Sequence, residues 1–395
     1  MVSLTLEGLP VELIEAIVGL LDFQDICALR LAGRTVSFKS SNATFRTYFS
    51  SKKLQITETS LKRFVHVTQP GQLGLWLQRL TMYDILDPDT EDAKAEDSDT
   101  TIKAAQLLTQ AMENIRDRSP HGGRLSISLQ IHGRNFKRKP SAKVFQMVTS
   151  ALGSSKLPVH SFDVFADAYQ HTWGSWCSLG FSELTTALSR GTADLSTSFQ
   201  LCKKLCLSLG HCIHAVNFDN PDWDLQLPLT HDMAQQNTKS LCCFLNLCPA
   251  LEELHLVWEY DDFLETAATM EELKFFNKMA VFCEFSNLKK CTLKDLRMSE
   301  TALLTFFRKV PGLVHLSIDG LDLYEGEGFD GLFNLLSTTM PYLDFLRLRG
   351  LGSLSGTVHF PDEPLENLWI ERSRPPPGVI RRGADARRLV TGRTS

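Results

Sequence analysis

The chain has 395 residues, of which 43% are hydrophobic and 22% charged, and its formal net charge is -5. These values are typical of a globular protein with two or three domains, and the absence of a basic excess argues against general nucleic-acid binding. No apolar run reaches the roughly 18 residues of a membrane-spanning helix. The first residues have no secretory leader pattern, and the ten cysteines lack small-domain spacing. We therefore expect reduced thiols, no membrane partner, and a location in the cytoplasm or the nucleus.

The first strong pattern covers residues 6–34, with the sequence LEGLPVELIEAIVGLLDFQDICALRLAGR. Pro10 suits the first turn of a helix, and the apolar residues after it recur at steps of one, three and four, which predicts a broad apolar stripe. Asp22 can cap a second helix, and a third helix fits residues 43–49. Three short helices cannot bury much surface alone. This unit therefore needs a partner, either the rest of the chain or another protein.

The order of these residues resembles the F-box motif. The resemblance rests on Leu9-Pro10, Glu12, Leu13-Ile14, Ile17, Leu21, Asp25-Ile26 and Leu29-Arg30-Leu31. The continuation to about residue 83 is similar to that of F-box proteins of filamentous fungi. The sequence departs from the family at residues 32–34, where Ala-Gly-Arg replaces the usual Val-Cys-Lys or Val-Cys-Arg, and the Trp that commonly follows is absent.

In that family the motif binds the Skp-type adaptor of a cullin-RING ubiquitin ligase. The resemblance therefore implies an F-box over residues 1–50. The adaptor-binding residues that it implies are Leu9, Pro10, Leu13, Ile14, Ile17, Leu21, Ile26 and Leu29. The alternative is a small apolar helical subdomain that packs only on its own chain.

An acidic stretch separates this region from the remainder. Residues 51–83 are expected to be a linker segment, and the sequence YDILDPDTEDAKAEDSDT that follows holds eight acidic residues and one Lys. Such a composition predicts a solvated, disordered loop over residues 84–100. Recruitment of a basic partner is the alternative interpretation of this stretch.

Helix and strand patterns alternate after the acidic stretch. Residues 102–115 and 143–152 have helical spacing, residues 125–131 alternate as in a strand, and residues 157–165 are a further strand candidate. From about residue 200 a phrase recurs that consists of leucine, two residues, leucine, one residue and an apolar residue. Its copies are CKKLCL at 202, LEELHL at 251, LKKCTL at 288, LVHLSI at 313, LDFLRL at 343 and LENLWI at 365.

A strand followed by a helix, repeated every ~20–29 residues, is typical of leucine-rich repeats. This resembles the irregular leucine-rich tails of many F-box proteins. We therefore predict an α+β or α/β repeat fold, in which an irregular leucine-rich-repeat solenoid over residues 101–372 follows the three-helix F-box. Residues 373–395 are rich in Arg and Pro and are predicted to be a disordered tail. The asparagine or cysteine expected in each repeat is replaced by Glu259, Leu296, Leu321, Leu351 and Ser373, which predicts an irregular arc without an asparagine ladder.

A target-binding site is expected on the strands of the repeats. Side chains alternate along a strand, so the residues between the leucines would form a concave face, where solenoids commonly bind partners. We expect Phe345, Arg347, Arg349 and Trp369 to bind the target, because aromatic residues and Arg dominate binding hot spots. The alternative is that they are ordinary exposed strand residues, and the aromatic stretch at residues 169–180 is then the next candidate.

Signs of catalysis or cofactor binding are weak. Gly326, Gly328 and Gly331 match the spacing of a dinucleotide fingerprint, but no strand ends directly before them and acidic neighbours would repel a pyrophosphate. The cysteines and histidines at residues 202–214 match no common zinc-binding spacing. We therefore predict no metal, no cofactor and no catalytic residue.

These observations lead to one function and two alternatives. The first is the substrate-recognition subunit of an SCF-type ubiquitin ligase, whose F-box binds a Skp-type adaptor, and through it a cullin, while the repeats bind a target protein. The second is an F-box scaffold protein that acts outside a ubiquitin ligase, and the third is an α/β enzyme. The sequence does not identify the target protein.

Overall fold

A computed structural model describes most of the chain. It covers residues 5–85, 98–120, 122–132, 139–166, 178–189, 192–210, 230–259, 270–271, 274–325, 328–354, 356–360, 378–390 and 393–394. The α-helices are α1 (Val11–Val18), α2 (Phe23–Leu31), α3 (Arg34–Lys39), α4 (Ala43–Thr47), α5 (Glu58–Val67), α6 (Ser98–Arg118), α7 (Lys139–Ser155), α8 (Phe181–Ser189), α9 (Thr192–Phe199), α10 (His231–Asn246), α11 (Phe275–Phe282), α12 (Glu300–Arg308) and α13 (Asp330–Thr339). The strands are β1 (Ser51–Gln55), β2 (Arg79–Ile85), β3 (Leu125–His132), β4 (Val159–Val164), β5 (Leu179–Gly180), β6 (Lys204–Gly210), β7 (Glu253–Glu259), β8 (Lys290–Ser299), β9 (His315–Glu325), β10 (Phe345–Ser353), β11 (Gly356–His359), β12 (Gly378–Arg382) and β13 (Arg393–Thr394).

Helices α1 to α4 fold around a small core of their own. Its fully buried members are Ile14, Val18, Ile26 and Phe45. As predicted, Asp22 caps α2, because its Oδ1 accepts a hydrogen bond of 2.8 Å from the backbone N–H of Asp25. The prediction of three helices was wrong, since the structure has four. Helix α2 ends at Leu31, and Gly33 directly precedes α3, a helix that sequence spacing did not indicate.

The remaining elements build one open, mixed sheet covered by helices. Strands β1 to β4 and β6 to β10 are neighbours in chain order, and each pair is parallel. Strands β11, β12 and β13 pair antiparallel at the last edge. Helices α5 to α13 pack on one another in nearly the same order. The strand–helix alternation predicted from the sequence is therefore confirmed, as an α+β architecture.

The recurring leucine phrase places its leucines on one face of the sheet, because side chains alternate along each strand. Its leucines, such as Leu256, Leu293, Leu316 and Leu346, are fully buried on the helix-covered face and belong to one continuous core. The copy at residue 365 lies outside the described residues.

The sheet begins earlier than the sequence predicted. Residues 51–83 are not a linker, because they supply β1, α5 and most of β2, and β1 and β2 pair in parallel with the strand that follows each of them. Leu54, Leu80 and Met82 are buried, and this burial provides the stabilisation that the linker prediction overlooked. The predicted bounds of the acidic loop were wrong at both ends, since residues 84–85 belong to β2 and residues 98–100 to α6. Residues 86–97 lie outside the described residues.

Three neighbouring strands share a bend at one register position. Asp295, Gly320 and Gly350 have φ values of 53°, 71° and 59°, in the left-handed region that Gly and Asp tolerate better than most residues. They lie between paired positions of β8, β9 and β10, and pairing resumes at the next residue of each strand. Those next residues, Leu296, Leu321 and Leu351, are three of the residues found where the predicted repeat would place Asn or Cys, and all three are buried.

The C-terminal region corrects a further prediction. Residues 378–390 are ordered, because β12 pairs antiparallel with the edge of β10 and Val379, Ala386 and Val390 are buried. Arg387 also donates a hydrogen bond of 2.8 Å from Nη1 to the carbonyl of Pro341. Composition did not reveal this order, because an edge strand satisfies backbone groups whatever its side chains are.

Candidate binding surfaces

Helix α1 carries two apolar stripes rather than one. Ile14 and Val18, four residues apart, are fully buried in the core of the helical unit. On another side, Leu13 and Ile17 of α1 continue a similar spacing from Pro10, just before the helix, to Leu20, in the turn after it. Leu13 and Leu20 are 52% and 89% exposed. We call these four residues the outer stripe. The broad apolar face predicted from the sequence is thus divided between the unit's own core and solvent.

This division corrects the predicted adaptor-binding set. Ile14 and Ile26 are fully buried, so the expectation that they contact a partner directly was wrong. Leu9, Leu21 and Leu29 are partly buried and pack against the same core. Pro10 and Leu13 remain exposed, and Ile17 is partly exposed. Spacing along the sequence predicted an apolar helix but could not indicate which stripe faces inward.

Further apolar side chains extend the exposed surface of the helical unit. Leu31 and Phe38 are 88% and 81% exposed, and both line a pocket of about 480 Å³ together with Arg30 and Arg34. Nearly half of the large apolar side chains that are exposed among the described residues lie between residues 6 and 48. Concentrations of this kind mark interaction surfaces, whereas single exposed leucines do not.

Two polar residues that the sequence did not single out fix the geometry of this unit. The Lys39 ammonium donates hydrogen bonds of 2.8 and 2.7 Å to the carbonyls of Glu7 and Leu9, and so holds the segment before α1. Glu15 Oε1 accepts a bond of 2.6 Å from the N–H of Thr44 at the start of α4. Both contacts join residues about 30 positions apart, which is why helical spacing could not reveal them.

The helical unit is also attached to the sheet region. Leu73 packs against the unit's core, and the Arg46 guanidinium lies 4.0 Å from the ring centroid of Trp76. The backbone carbonyl of Ser50 accepts hydrogen bonds of 2.8 Å from the N–H groups of Gln78 and Arg79. These contacts involve the side of the unit near α4.

The face of the sheet opposite the buried leucines carries polar side chains in rows, which we call the polar face. In each row, residues at the same register position follow one another from strand to strand. The first row is Lys204, Glu253, Lys290, His315, Phe345 and Arg382; the second is Cys206, His255, Thr292, Ser317, Arg347 and Ile380; the third is Ser208, Val257, Lys294, Asp319, Arg349 and Gly378. Cys206, Ser208 and Val257 are buried, so the accessible part of these rows is toward β8, β9 and β10.

Charges near the start of β6, β7 and β8 are paired across strands. Glu252 lies 2.6 Å from Lys203 and 2.8 Å from Lys289, and hydrogen bonds from these two ammonium groups lower its pKa to about 2. Glu253 lies 2.7 Å from Lys290 and 3.6 Å from Lys204. Burial opposes ionisation of Glu253, but the two lysines nevertheless keep its pKa below the ordinary value. This part of the sheet offers little uncompensated charge to a partner.

Three of the four predicted target-binding residues lie together on β10. Phe345 stacks on His315, with ring centroids 4.1 Å apart and planes 7° apart. Arg347 Nη2 is 3.3 Å from Asp319 Oδ2, and Arg349 Nε is 3.8 Å from Asp319 Oδ1. Their alternate spacing on one strand explains why the leucine phrase located them. Trp369 lies outside the described residues.

Neighbours from other strands complete this cluster. Arg382 of β12 lies 5.8 Å from the ring of Phe345. It was missed because it belongs to the stretch predicted to be disordered, and the bonding role of Asp319 was missed because strand register is not visible in the sequence. Burial, and then the nearby charge of Lys290, lower the pKa of His315. Burial raises the pKa of Asp295, at the bend beside this cluster, to about 6, and the charges of Asp319 and Asp322 add to the effect.

Other candidate sites are covered only in part. Cys202 and Cys206 are buried, whereas residues 211–214 of the Cys/His cluster, Gly326 of the glycine motif and residues 169–177 of the aromatic stretch lie outside the described ranges. Among the described side chains, no group of three His, Cys, Asp or Glu residues is arranged to hold a metal ion.

A scan against protein-family models finds no match for this chain, and a search of curated proteins finds no relative. Within the ranges that the structure describes, none of the helices has both the length and the apolar composition needed to cross a bilayer.

Proposed function

We propose that this protein is the substrate-recognition subunit of an SCF-type cullin-RING ubiquitin ligase. In this proposal α1 to α4 form an F-box that binds a Skp-type adaptor, and the polar face of the sheet binds the target protein. The observation that carries the proposal is the exposed second stripe of α1, formed by Pro10, Leu13, Ile17 and Leu20, in the segment whose residues resemble the F-box motif.

The energetics of this surface support a binding role. Burying a leucine side chain contributes about 1.5–3 kcal/mol relative to leaving it in water. Leu13, Leu20 and Leu31 are all more than half exposed, so a partner that covers them recovers stabilisation that the isolated chain does not use. The hydrogen bonds from Lys39 hold the Leu9-Pro10 segment in a fixed conformation, which reduces the entropy lost on binding.

The sheet region supports the second half of the proposal. We interpret it as an irregular leucine-rich-repeat solenoid, since parallel strands follow one another in chain order and consecutive helices pack together. The target would contact Phe345, Arg347 and Arg349, with Trp369 as an additional candidate. A receptor of this kind needs no catalytic residue, metal or cofactor of its own, and it would act in the cytoplasm or the nucleus.

Reconstitution from purified components tests this function. The full chain is mixed with a Skp-type adaptor and then with the adaptor-binding half of a cullin, and the masses of the complexes are measured by size-exclusion chromatography with light scattering. We expect a one-to-one complex with the adaptor and a ternary complex with the cullin. Adaptor binding without the cullin would instead support the scaffold function, and failure to bind the adaptor would overturn the F-box assignment.

A matched pair of variants makes the result specific. Leu13→Ala with Leu20→Ala removes two exposed leucines of the outer stripe, and Tyr342→Ala with Leu354→Ala removes two similarly exposed apolar side chains of the sheet region. The first double variant should lose the adaptor complex, and the second should retain it.

A further inference from the structure

The polar face has an uneven distribution of charge. Near the last strands, cationic side chains outnumber the anionic ones that share their rows. The cations there are Lys290, Lys294, Arg347, Arg349 and Arg382, and the anions are Glu253 and Asp319. Because Glu253 is engaged by Lys290, Asp319 is the main counter-charge to both Arg347 and Arg349.

Arg347 and Arg349 both contact Asp319, but within the described part of the chain their guanidinium groups do not have all of their hydrogen-bond donors engaged. Their side chains are 36% and 28% exposed, so they are partly shielded from solvent, and Asp319 is 24% exposed. The Nε atoms of Arg347 and Arg349 are buried and have no hydrogen-bond partner among the residues that the structure describes. Charges in such a position are screened by salt less than fully exposed charges, and guanidinium groups match carboxylates in geometry.

An aromatic surface adjoins the arginines. Phe345, whose ring stacks on that of His315, lies two residues before Arg347 on the same face of β10. Arg382 lies beside Phe345 on β12. An extended peptide that crosses these strands can therefore place an apolar side chain and an acidic side chain on adjacent sites.

We propose that Arg347, Arg349 and Phe345 recognise an extended acidic segment of the target protein, with an Asp or Glu carboxylate bound by the two arginines and a neighbouring apolar side chain on Phe345. This inference rests on the proposed target-binding role of the polar face. It does not depend on the adaptor.

The surrounding acids favour a carboxylate over a phosphate. Asp319 already contacts both arginines, and the negative charges of Asp319 and Asp322 add to the effect of burial in raising the pKa of Asp295. Arg347, Arg349 and Asp319 together carry a net charge of +1, which one carboxylate balances and which a phosphate, with nearly two negative charges at neutral pH, exceeds.

The chain's own acidic stretch is not the occupant. Residues 86–97 connect β2 to α6 along the chain, and a segment of that length joined at both ends reaches at most roughly 20 Å from them. Strand β10 lies seven strand spacings from β2, or about 34 Å along the sheet. By its length the stretch at residues 86–97 does not bridge that distance, and the proposal assigns the acidic segment to the target protein.

Selection from a library of random 12-residue peptides displayed on phage, against the immobilised full-length chain, tests this proposal. We expect the enriched peptides to contain an Asp or Glu next to an apolar residue. Enrichment of neutral or basic peptides, or no enrichment, would overturn the proposal. The best peptide is then synthesised, labelled and titrated by fluorescence anisotropy, once with its acidic residue and once with phosphoserine in that position. Tighter binding of the phosphoserine version would overturn the assignment of a carboxylate ligand.

Matched variants connect the peptide to the site. Arg347→Ala with Arg349→Ala should weaken peptide binding at least about tenfold, whereas Lys53→Ala with Arg79→Ala should leave it unchanged, because these exposed cations occupy the first strands of the same sheet. Asp319→Asn should tighten binding about threefold or more, since it removes the competing carboxylate. A misfolded variant cannot reproduce this gain. Equal affinity for all these variants would overturn the proposal.

Adaptor reconstitution remains a separate measurement. A chain that binds acidic peptides but no adaptor would contradict the F-box proposal and support the acidic-segment proposal. A chain that binds the adaptor but no acidic peptide would support the F-box proposal and contradict the acidic-segment proposal.

Discussion

The N-terminal helical unit and the sheet region differ in how far their leucines are buried. Leu13, Leu20 and Leu31 of the helical unit are 52%, 89% and 88% exposed, whereas Leu316 and Leu346 of the sheet region have no exposed surface. In the sheet region each strand and helix covers its neighbour, so the leucines are used to hold the fold together. Four short helices cannot enclose all of their apolar residues, and the excess remains available to a partner.

The largest expected effect separates the two regions by stability. Leu316→Ala removes a fully buried side chain and should lower the free energy of unfolding by about 2–5 kcal/mol. Leu31→Ala truncates an exposed side chain and should change the free energy of unfolding by less than about 0.5 kcal/mol. Urea denaturation followed by circular dichroism measures both. Similar losses for the two variants would mean that Leu31 is covered in solution.

Within the helical unit, a second pair distinguishes the two stripes of α1. Ile14→Ala should destabilise the unit by roughly 2–4 kcal/mol, because Ile14 is a main member of its small core. Leu13→Ala, one residue away and half exposed, should leave the stability nearly unchanged. Hydrogen exchange of α1 and α2 amides reports on this unit alone. Faster amide exchange in the Leu13→Ala variant than in the Ile14→Ala variant would show that the buried and exposed stripes are assigned the wrong way round.

The C-terminal strand tests whether the sheet region is complete without its last edge. Deleting residues 378–395 removes the pairing of β12 with β10 and the burial of Val379 and Val390. We expect a loss of roughly 1–3 kcal/mol and increased self-association, because the edge of β10 becomes available to other chains. Thermal melting and light scattering measure these effects. An unchanged melting temperature and a monomeric variant would restore the disordered-tail prediction.

The smallest effect concerns the bend in the sheet region. The pKa of Asp295 is raised from 3.8 to about 6, so between these values the folded chain binds more protons than the unfolded chain, and stability falls as the pH rises. Asp295→Asn removes this dependence, and Asn tolerates a φ of 53°. We therefore expect the free energy of unfolding of the variant, minus that of the original chain, to be larger above pH 6 than at pH 4. Parallel stability profiles from pH 4 to 7 would show that the Asp295 pKa is not raised.

The sequence predicted the repeated strands well, because alternating leucines have only one way to be buried against helices. It failed where the outcome depends on contacts between distant segments. The inward orientation of Ile14, the pairing of β12 with β10 and the place of Asp319 between Arg347 and Arg349 all follow from packing and register. Likewise, residues 51–83 were assigned to a linker, although neighbouring elements bury Leu54, Leu80 and Met82.

Calorimetric titration of a Skp-type adaptor into the full-length chain tests the central claim most directly. Pro10→Ala with Leu13→Ala truncates two exposed residues of the outer stripe without touching the core. Anchors at an interface contribute about 2 kcal/mol or more each when truncated, so the affinity of this double variant should fall at least about tenfold. Tyr342→Ala with Leu354→Ala should bind as tightly as the original chain. Equal adaptor affinity for both double variants, or no binding by the original chain, would contradict the F-box function proposed for the helical unit.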